Sequence, residues 1–461
     1  MSDAPAWLAP ALDYAREWLG YQMRITEQPG CALAIAWRGE VVLEAAFGSA
    51  DLSTGEALSP RHRFRVASHS KSFTAAAILK LREKGRLKLD DRAGEHVGGL
   101  HPRIAEASLA QLLSHTAGIF RDGEDAPYWA GRGPFPDEAK LRADLALAPA
   151  IEAGERLKYS NHGFALAGLV VEAAAGESWR AFVEREVVGA AGLGETSVDG
   201  PPPPGVPFAR GHSGKALLGR RLVFPGDGPT GALAAATGFI STAGDLVRFF
   251  SQLSPRAATS FLSPASRREM ARPQWKDRFS QLDRSYGLGL ITAVSEGLES
   301  FGHSGGFLGY LSRTAVLAEA DFAVSVLTNA ADAAPEAWLE GVVSILARFR
   351  AEGAPEADLA SWSGRWWSVW GAADLVPIGE KVILASPALA KPLSNAPEIQ
   401  VVGADLARIA QAGGFHSQGE PARLIRNPIG EIVEVRIAAS RFLKEEALAA
   451  ELLGRFGGQS R

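Results

Sequence analysis

The chain has 461 residues, 46% of them apolar and 22% charged, and carries a net charge of −4. That profile fits a globular chain of two or three domains whose core needs no disulfide or metal support. The lack of any long Lys/Arg run argues against nucleic acid and anionic membranes as partners, and a single cysteine, Cys31, excludes an internal disulfide.

The opening segment, MSDAPAWLAPALDYAREW, lacks the basic start and apolar core of a secretion signal. A cytoplasmic protein is therefore expected, or a periplasmic one if a leader had been removed. No stretch reaches the roughly 18 uninterrupted apolar residues of a membrane span. Trp7, Leu8, Leu12, Trp18 and Leu19 recur at helical spacing between Pro5 and Tyr21. Two β-type runs, Cys31 to Trp37 and Val41 to Phe47, flank Arg38-Gly39 and predict a hairpin. The Ala- and Leu-rich stretch Ser72 to Lys84 ends at Gly85, as a helix with a glycine cap would. Its small residues extend around most of the cylinder, so burial on several sides is expected.

Long Gly/Pro loops at 121–136 and 199–230 interrupt the next region; loops of this length usually cover a site or lack order. Strand-like runs return at Leu311–Leu317 and Phe322–Leu327, before a helical stretch from Pro335 to Arg350. The pattern predicts one sheet built from distant parts of the chain, in an α/β (α+β) body with flanking helices and a helical insertion. After Ala354-Pro355 come short runs at Asp374–Ile378, Val382–Ala385, Ile399–Val402, Pro421–Arg426 and Ile432–Ile437. These predict a small all-β, barrel-like domain, so the expected division is 1–353 and 354–461. Four of eleven tryptophans fall between Trp362 and Trp370, where packing in a β-core is the favoured reading over a binding surface.

Three segments carry chemistry. In FRVASHSKSFTA, Ser68 stands three residues before Lys71 where a helix begins, so hydroxyl and amine share a face. A helix N-terminus and burial both disfavour the charged ammonium, which suits Lys71 to take a proton from Ser68. A charged Lys71 would instead lower the pKa of a nearby phenol. In GERLKYSNHGFALAG, a loop delivers Tyr159, Ser160 and Asn161 just before an apolar helix. A phenol can act as base, and an Asn side chain can bind a substrate carbonyl or steady the lysine. In FGHSGGFLGYLS, His303 precedes Ser304, Gly305 and Gly306, whose small size would let a substrate lie on a strand edge beside a free N–H. His115, in LLSHTAGI, is expected to brace the site through a hydrogen bond. The acidic loop Asp122, Glu124 and Asp125 reads as solvated surface charge, or as a site for a substrate amine.

Together S-x-x-K, Y-x-N and H-S-G-G resemble the serine β-lactamase and penicillin-binding-protein superfamily. The resemblance covers about residues 25–350 and is strongest to the branch of class C β-lactamases, D-aminopeptidases, carboxypeptidases and esterases. FGSADLSTGEALSP, GFISTAGDLVRF, YGLGLI and AVSVLTNA look like that branch too. The likeness implies a transpeptidase-like domain with an antiparallel sheet, and an acyl-enzyme on Ser68. It implies that Lys71 and Tyr159 move the proton, and that Asn161 contacts the substrate amide. The N–H groups of Ser68 and Gly306 would form the oxyanion hole, with His303 and Gly305 lining the substrate strand. His303 stands where the lactamases carry lysine, and an imidazole holds a carboxylate less firmly. A D-amino-acid peptidase or amidase is thus expected ahead of an esterase or a weak β-lactamase. A non-catalytic sensor or assembly protein is the reading from a different class. The C-terminal domain looks lipocalin-like. No cofactor or metal is expected; the expected partners are a small-molecule or short-peptide substrate and, through the β-domain, other copies of the chain.

Overall fold

The computed structural model describes residues 4–457. Residues 28–339 form one compact unit; the segments up to residue 27 and from residue 340 form the other. This differs from the expected division at 353/354, because the helix Leu8–Ile25 and most of the helix Pro335–Glu352 group with the C-terminal unit. The first helix is tied there by polar contacts that composition does not reveal. Tyr14 donates to Asp374 at 3.2 Å, Trp18 to the Leu389 carbonyl at 3.2 Å, and Gln22 to the Pro387 carbonyl at 2.6 Å.

The 28–339 unit is built on nine strands: β1 Gly30–Trp37, β2 Glu40–Asp51, β3 Glu56–Ala57, β4 Trp275–Lys276, β5 Arg284–Tyr286, β6 Ile291–Ser295, β7 Leu298–Phe307, β8 Tyr310–Leu317 and β9 Phe322–Thr328. Their order is β3-β2-β1-β9-β8-β7-β6-β5-β4, all antiparallel. Pairing of β1 with β9 joins residues about 300 apart, as the strand-like runs at both ends of this region anticipated. The β1–β2 hairpin turns through Arg38 (φ 52°) and Gly39 (φ 84°), the double positive-φ geometry of a tight hairpin. His303 to Gly306 lie within β7 rather than before a strand; glycines kept extended by their neighbour β8 remain part of the ladder.

Three helices matter for the site: α1 Ser70–Glu83, α2 Asn161–Ala175 and α3 Ala243–Gln252. The first ten residues of α1, Ser70 to Leu79, are buried, as is Leu81, and alanines 75 to 77 let neighbours close in from several sides. Phe73 stacks on Phe239 at 4.2 Å and on Phe249 at 3.8 Å between ring centroids. Burial of such a side chain contributes about 1.5–3 kcal/mol. The helix stops at Lys84, followed by Gly85 at φ 68°.

The chain enters α1 through an anchored junction. Phe64-Arg65 pairs with Ile240-Ser241, and the Val66 N–H donates to the Phe239 carbonyl at 3.1 Å. Ala67 then takes φ 46°, a left-handed conformation costing an alanine about 1–2 kcal/mol. Ser70 offsets this cost: its hydroxyl donates to the Ala67 carbonyl at 2.5 Å and accepts from the Phe239 N–H at 3.0 Å. Buried Arg65 donates to the carbonyls of Gly226 (2.7 Å) and Gly238 (2.8 Å). Ser68 is thereby held in a one-turn 3₁₀ segment between strand and helix.

The C-terminal unit contains a closed barrel of eight antiparallel strands, from Gly364–Ser368 to Ser440–Leu443. Trp362 and Trp366 pack inside it with Leu375, Val382, Ile399 and Val435. Trp370, by contrast, is 93% exposed. The strand-like runs located five of the eight strands. Gly364–Ser368, Leu406–Gln411 and Ser440–Leu443 escaped, being short and rich in outward polar residues, as did the helix Glu445–Phe456. Among the described residues no helix is long and apolar enough to cross a membrane.

Candidate active site

The three chemical segments meet. Lys71 is the second residue of α1, fully buried, with its Nζ 3.1 Å from Ser68 Oγ. The same nitrogen donates to Asn161 Oδ1 at 2.7 Å and to the Ala236 carbonyl at 2.9 Å. Burial, with Arg121 nearby, pushes Lys71 well below the usual lysine range, while Asp122 partly opposes the shift. A neutral amine has two N–H groups and one lone pair. In that form the two carbonyl-type acceptors would take both hydrogens and the lone pair would face the Ser68 hydroxyl.

Asn161 opens α2 and is buried. Its Oδ1 accepts from Lys71 and its Nδ2 donates to Asp122 Oδ1 at 2.6 Å. Its bond to Lys71 is one of the two roles expected of it, steadying the lysine. Asp122 is correspondingly no solvated surface charge. Its side chain is only 14% exposed and also accepts from Trp129 Nε1 at 3.0 Å and Arg121 Nε at 3.0 Å. The loop at 121–136 thus supplies a positioning residue acting through Asn161. Asp122→Ala is expected to lower kcat about 10- to 100-fold with little change in KM, the loss of one charge-assisted bond of about 1.5–3 kcal/mol. Asp122→Asn, which keeps an acceptor, should restore most of the rate.

Tyr159 lines the cleft together with Ser68, and its ring lies 4.8 Å from Lys71 Nζ. Burial raises its phenol above the ordinary value, against the opposing pull of Ser68 and of Arg121. His115 braces this loop: its Nδ1 accepts from the Ser160 N–H at 3.1 Å and its ring lies 4.0 Å from that of Tyr159. His115 itself sits at φ 59°.

His303 faces the cleft from β7 but is 1% exposed. Its Nδ1–H donates to the Ser304 carbonyl at 2.6 Å, so Nε2 accepts from the Tyr286 hydroxyl at 2.9 Å. Burial, then His69 and Lys71, keep the ring neutral. Both ring nitrogens of His303 are thus engaged, and Nε2 holds Tyr286 at the cleft. Tyr286 lies in the YGLGLI stretch, where only likeness had drawn attention to it. Gly305 is a packing position: any Cβ there would lie inside contact distance of the Val66 carbonyl and 2.5 Å from Ser312 Oγ. It lets β7 lie directly against the Ser68 junction. Gly306 is exposed in the cleft with only Leu311 Cδ2 near, at 3.6 Å from such a Cβ. β6 pairs with β7 only as far as Gly302, so beyond it this strand edge has no β6 partner.

The resulting cleft, about 330 Å³, is lined by Ser68, Tyr159, Tyr286, His303 and Gly306, with Arg121 on its rim. Among the described residues no cluster could hold a metal ion. Three histidines around the site are buried and neutral: His69, pushed down to about 3, His115 and His303, each shifted mainly by burial. Because folding lowers their pKa values, the unfolded chain binds more protons as pH falls below the ordinary 6.5. Stability is thus full above that value and is lost below it, by about 1.4 kcal/mol per pH unit for each histidine. Urea denaturation at pH 7 and pH 5 should show this loss, and replacing His69 with Asn should lessen it.

The family profile described as Beta-lactamase matches residues 16–341. Protein flp of Staphylococcus aureus (strain MW2) is 31% identical over 162 residues, 34% of this chain and 32% of that protein; the chain spans about a third of the length of the curated relatives it matches. Among solved structures, the octameric penicillin-binding protein homologue from Pyrococcus abyssi is similar with a TM-score of 0.66 at 21% identity, over 94% of this chain and 99% of that one. The D-stereospecific amidohydrolase from Streptomyces sp. is similar with a TM-score of 0.57 at 26% identity, over 68% and 94%.

Proposed function

The chain belongs to the Beta-lactamase family, and from that premise we propose that it is a D-amino-acid-selective peptidase or amidase working through an acyl-enzyme on Ser68. The observation that carries this reading is the bond set of Lys71: Nζ lies 3.1 Å from Ser68 Oγ with Asn161 Oδ1 and the Ala236 carbonyl as its other partners, so that in the neutral amine the lone pair is left for the Ser68 hydroxyl. In the proposed reaction Ser68 Oγ attacks the amide carbon while its proton passes to Lys71 Nζ. The C–N bond breaks as the Tyr159 phenol protonates the departing nitrogen, and the Lys71 ammonium returns a proton to Tyr159. Water then attacks the ester by the reverse relay, giving the acid and free Ser68. The N–H groups of Ser68 and Gly306 receive the oxyanion, each contributing about 3 kcal/mol in the transition state.

Preference for amides over β-lactams rests on the neutral, fully bonded His303, which offers no cation to a penicillin carboxylate. The D-selectivity is supported by likeness to the Streptomyces enzyme. Self-association belongs to the same proposal, supported by the fold shared with an octameric homologue; light scattering on the purified chain checks it. D-alanine p-nitroanilide, its L isomer, a p-nitrophenyl ester and nitrocefin, assayed in parallel, test the substrate class. Turnover led by the D-anilide supports it, and turnover led by nitrocefin or by the L isomer refutes it.

A further inference from the structure

The cleft at Ser68 does not end at the catalytic groups. A second cavity of about 280 Å³ shares two wall residues with it, Leu157 and Asp277. The same two elements build both: the loop that delivers Tyr159, and the β4–β5 hairpin whose far strand delivers Tyr286. The floor of this second cavity is aromatic, made by Trp275 and Phe279. Phe279 is 84% exposed, so its ring is open to a ligand lying in this cavity. Its ring carries only the Arg156 guanidinium, 5.3 Å from the centroid.

The charge of the groove runs against that of the chain. Arg156, Lys276 and Arg278 line the second cavity, and Arg121 and Arg284 line the first. Glu155 and Asp277 are the acidic groups among these walls. Asp122 and Asp283, which are not wall residues, pair with two of these five cations, so the positive charge left over is that of Arg278, a local attractor for anions on a chain of net charge −4. Arg284 is paired with Asp277, Lys276 with Asp283, Arg156 with Glu155 and Arg121 with Asp122, but Arg278 has no ion-pair partner among the described residues. Each cavity is near the lower end of an ordinary ligand pocket, about 300–1,000 Å³. Joined, they suit a ligand longer than one amino acid.

We propose that this groove is an extended substrate subsite, which selects a peptide or acylated amide bearing a large apolar side chain and a carboxylate away from the scissile bond. The proposal rests on the hydrolase reading for its position but not for its test. Ser68→Ala protein, which cannot form an acyl-enzyme, is titrated by calorimetry with N-succinyl-D-phenylalanyl-D-alanine and with the compact, neutral N-acetyl-D-alanyl-D-alaninamide. The succinyl peptide should bind about tenfold more tightly at low salt, with the advantage shrinking as salt rises. Adding Arg278→Glu should cost about fivefold, the loss of one exposed charge contact, and Phe279→Ala a similar factor. In the chain with Ser68 intact, both substitutions should leave p-nitrophenyl acetate turnover unchanged. Equal affinities for the two probes, no binding of either, or affinities indifferent to both substitutions would overturn the subsite. A failure of Ser68 to react would count against the hydrolase reading alone, since binding to Ser68→Ala needs no reaction.

Discussion

Lys71→Ala is expected to lower kcat/KM on an aminoacyl p-nitroanilide about 10⁴-fold, the upper range for losing a positioned general base. The fold should survive, because the substitution removes a buried amine along with its bonds. Lys71→Arg should fare no better than alanine. A guanidinium stays protonated throughout the usable pH range and offers no lone pair to Ser68. The pH profile carries the sign of the mechanism. A base must be unprotonated, so activity rises with pH through the pKa of Lys71, and the acid limb should lie below the ordinary lysine value of 10.5. The charged and titratable groups facing Lys71 are Arg121 and Asp122 from one loop, Tyr159 and His115 from two others, and His303 from β7. Asp122 holds the lysine's pKa up. Neutralising it with Asn should therefore move the acid limb to lower pH, a shift that a merely structural residue would not produce.

Gly305→Ala is expected to destabilise the 28–339 unit by about 3 kcal/mol, the scale of overpacking in a close-packed interior. The added methyl would press on the Val66 carbonyl, which belongs to a backbone already held by Phe239 and followed by the strained Ala67. Neither side can yield without moving Ser68. Activity should fall further than stability alone requires. Gly306→Ala is the contrast: its neighbour is a flexible leucine methyl, so denaturation should be unchanged while turnover of bulky substrates drops. Paired melting and kinetic measurements on the two variants separate packing from cleft access.

Much of this site could be read from the sequence, and the reasons are local. Ser68 and Lys71 share a helix face by spacing alone, and Gly85 marks where that helix stops. What stayed hidden depends on partners far along the chain. Asp122 resembles any loop carboxylate until folding brings it to Asn161, 39 residues later. His303 reads as a weak holder of a substrate carboxylate, and nothing near it in the sequence shows that Tyr286 and the Ser304 carbonyl occupy both of its nitrogens. Gly305 and Gly306 are adjacent and chemically identical in the sequence; only the Val66 carbonyl behind one of them tells them apart. The compact units divide elsewhere than at 353/354 for a similar reason. An amphipathic helix such as Leu8–Ile25 declares that it has a buried face, but not which body it serves.

The central claim is that Ser68 is the nucleophile, primed by Lys71. The most direct measurement is mass spectrometry of the chain after reaction with a fluorophosphonate. A single adduct is expected on the peptide containing Ser68, absent from Ser68→Ala and formed far more slowly in Lys71→Ala. An adduct on another residue, or equal labelling of Ser68→Ala and the parent chain, would contradict it.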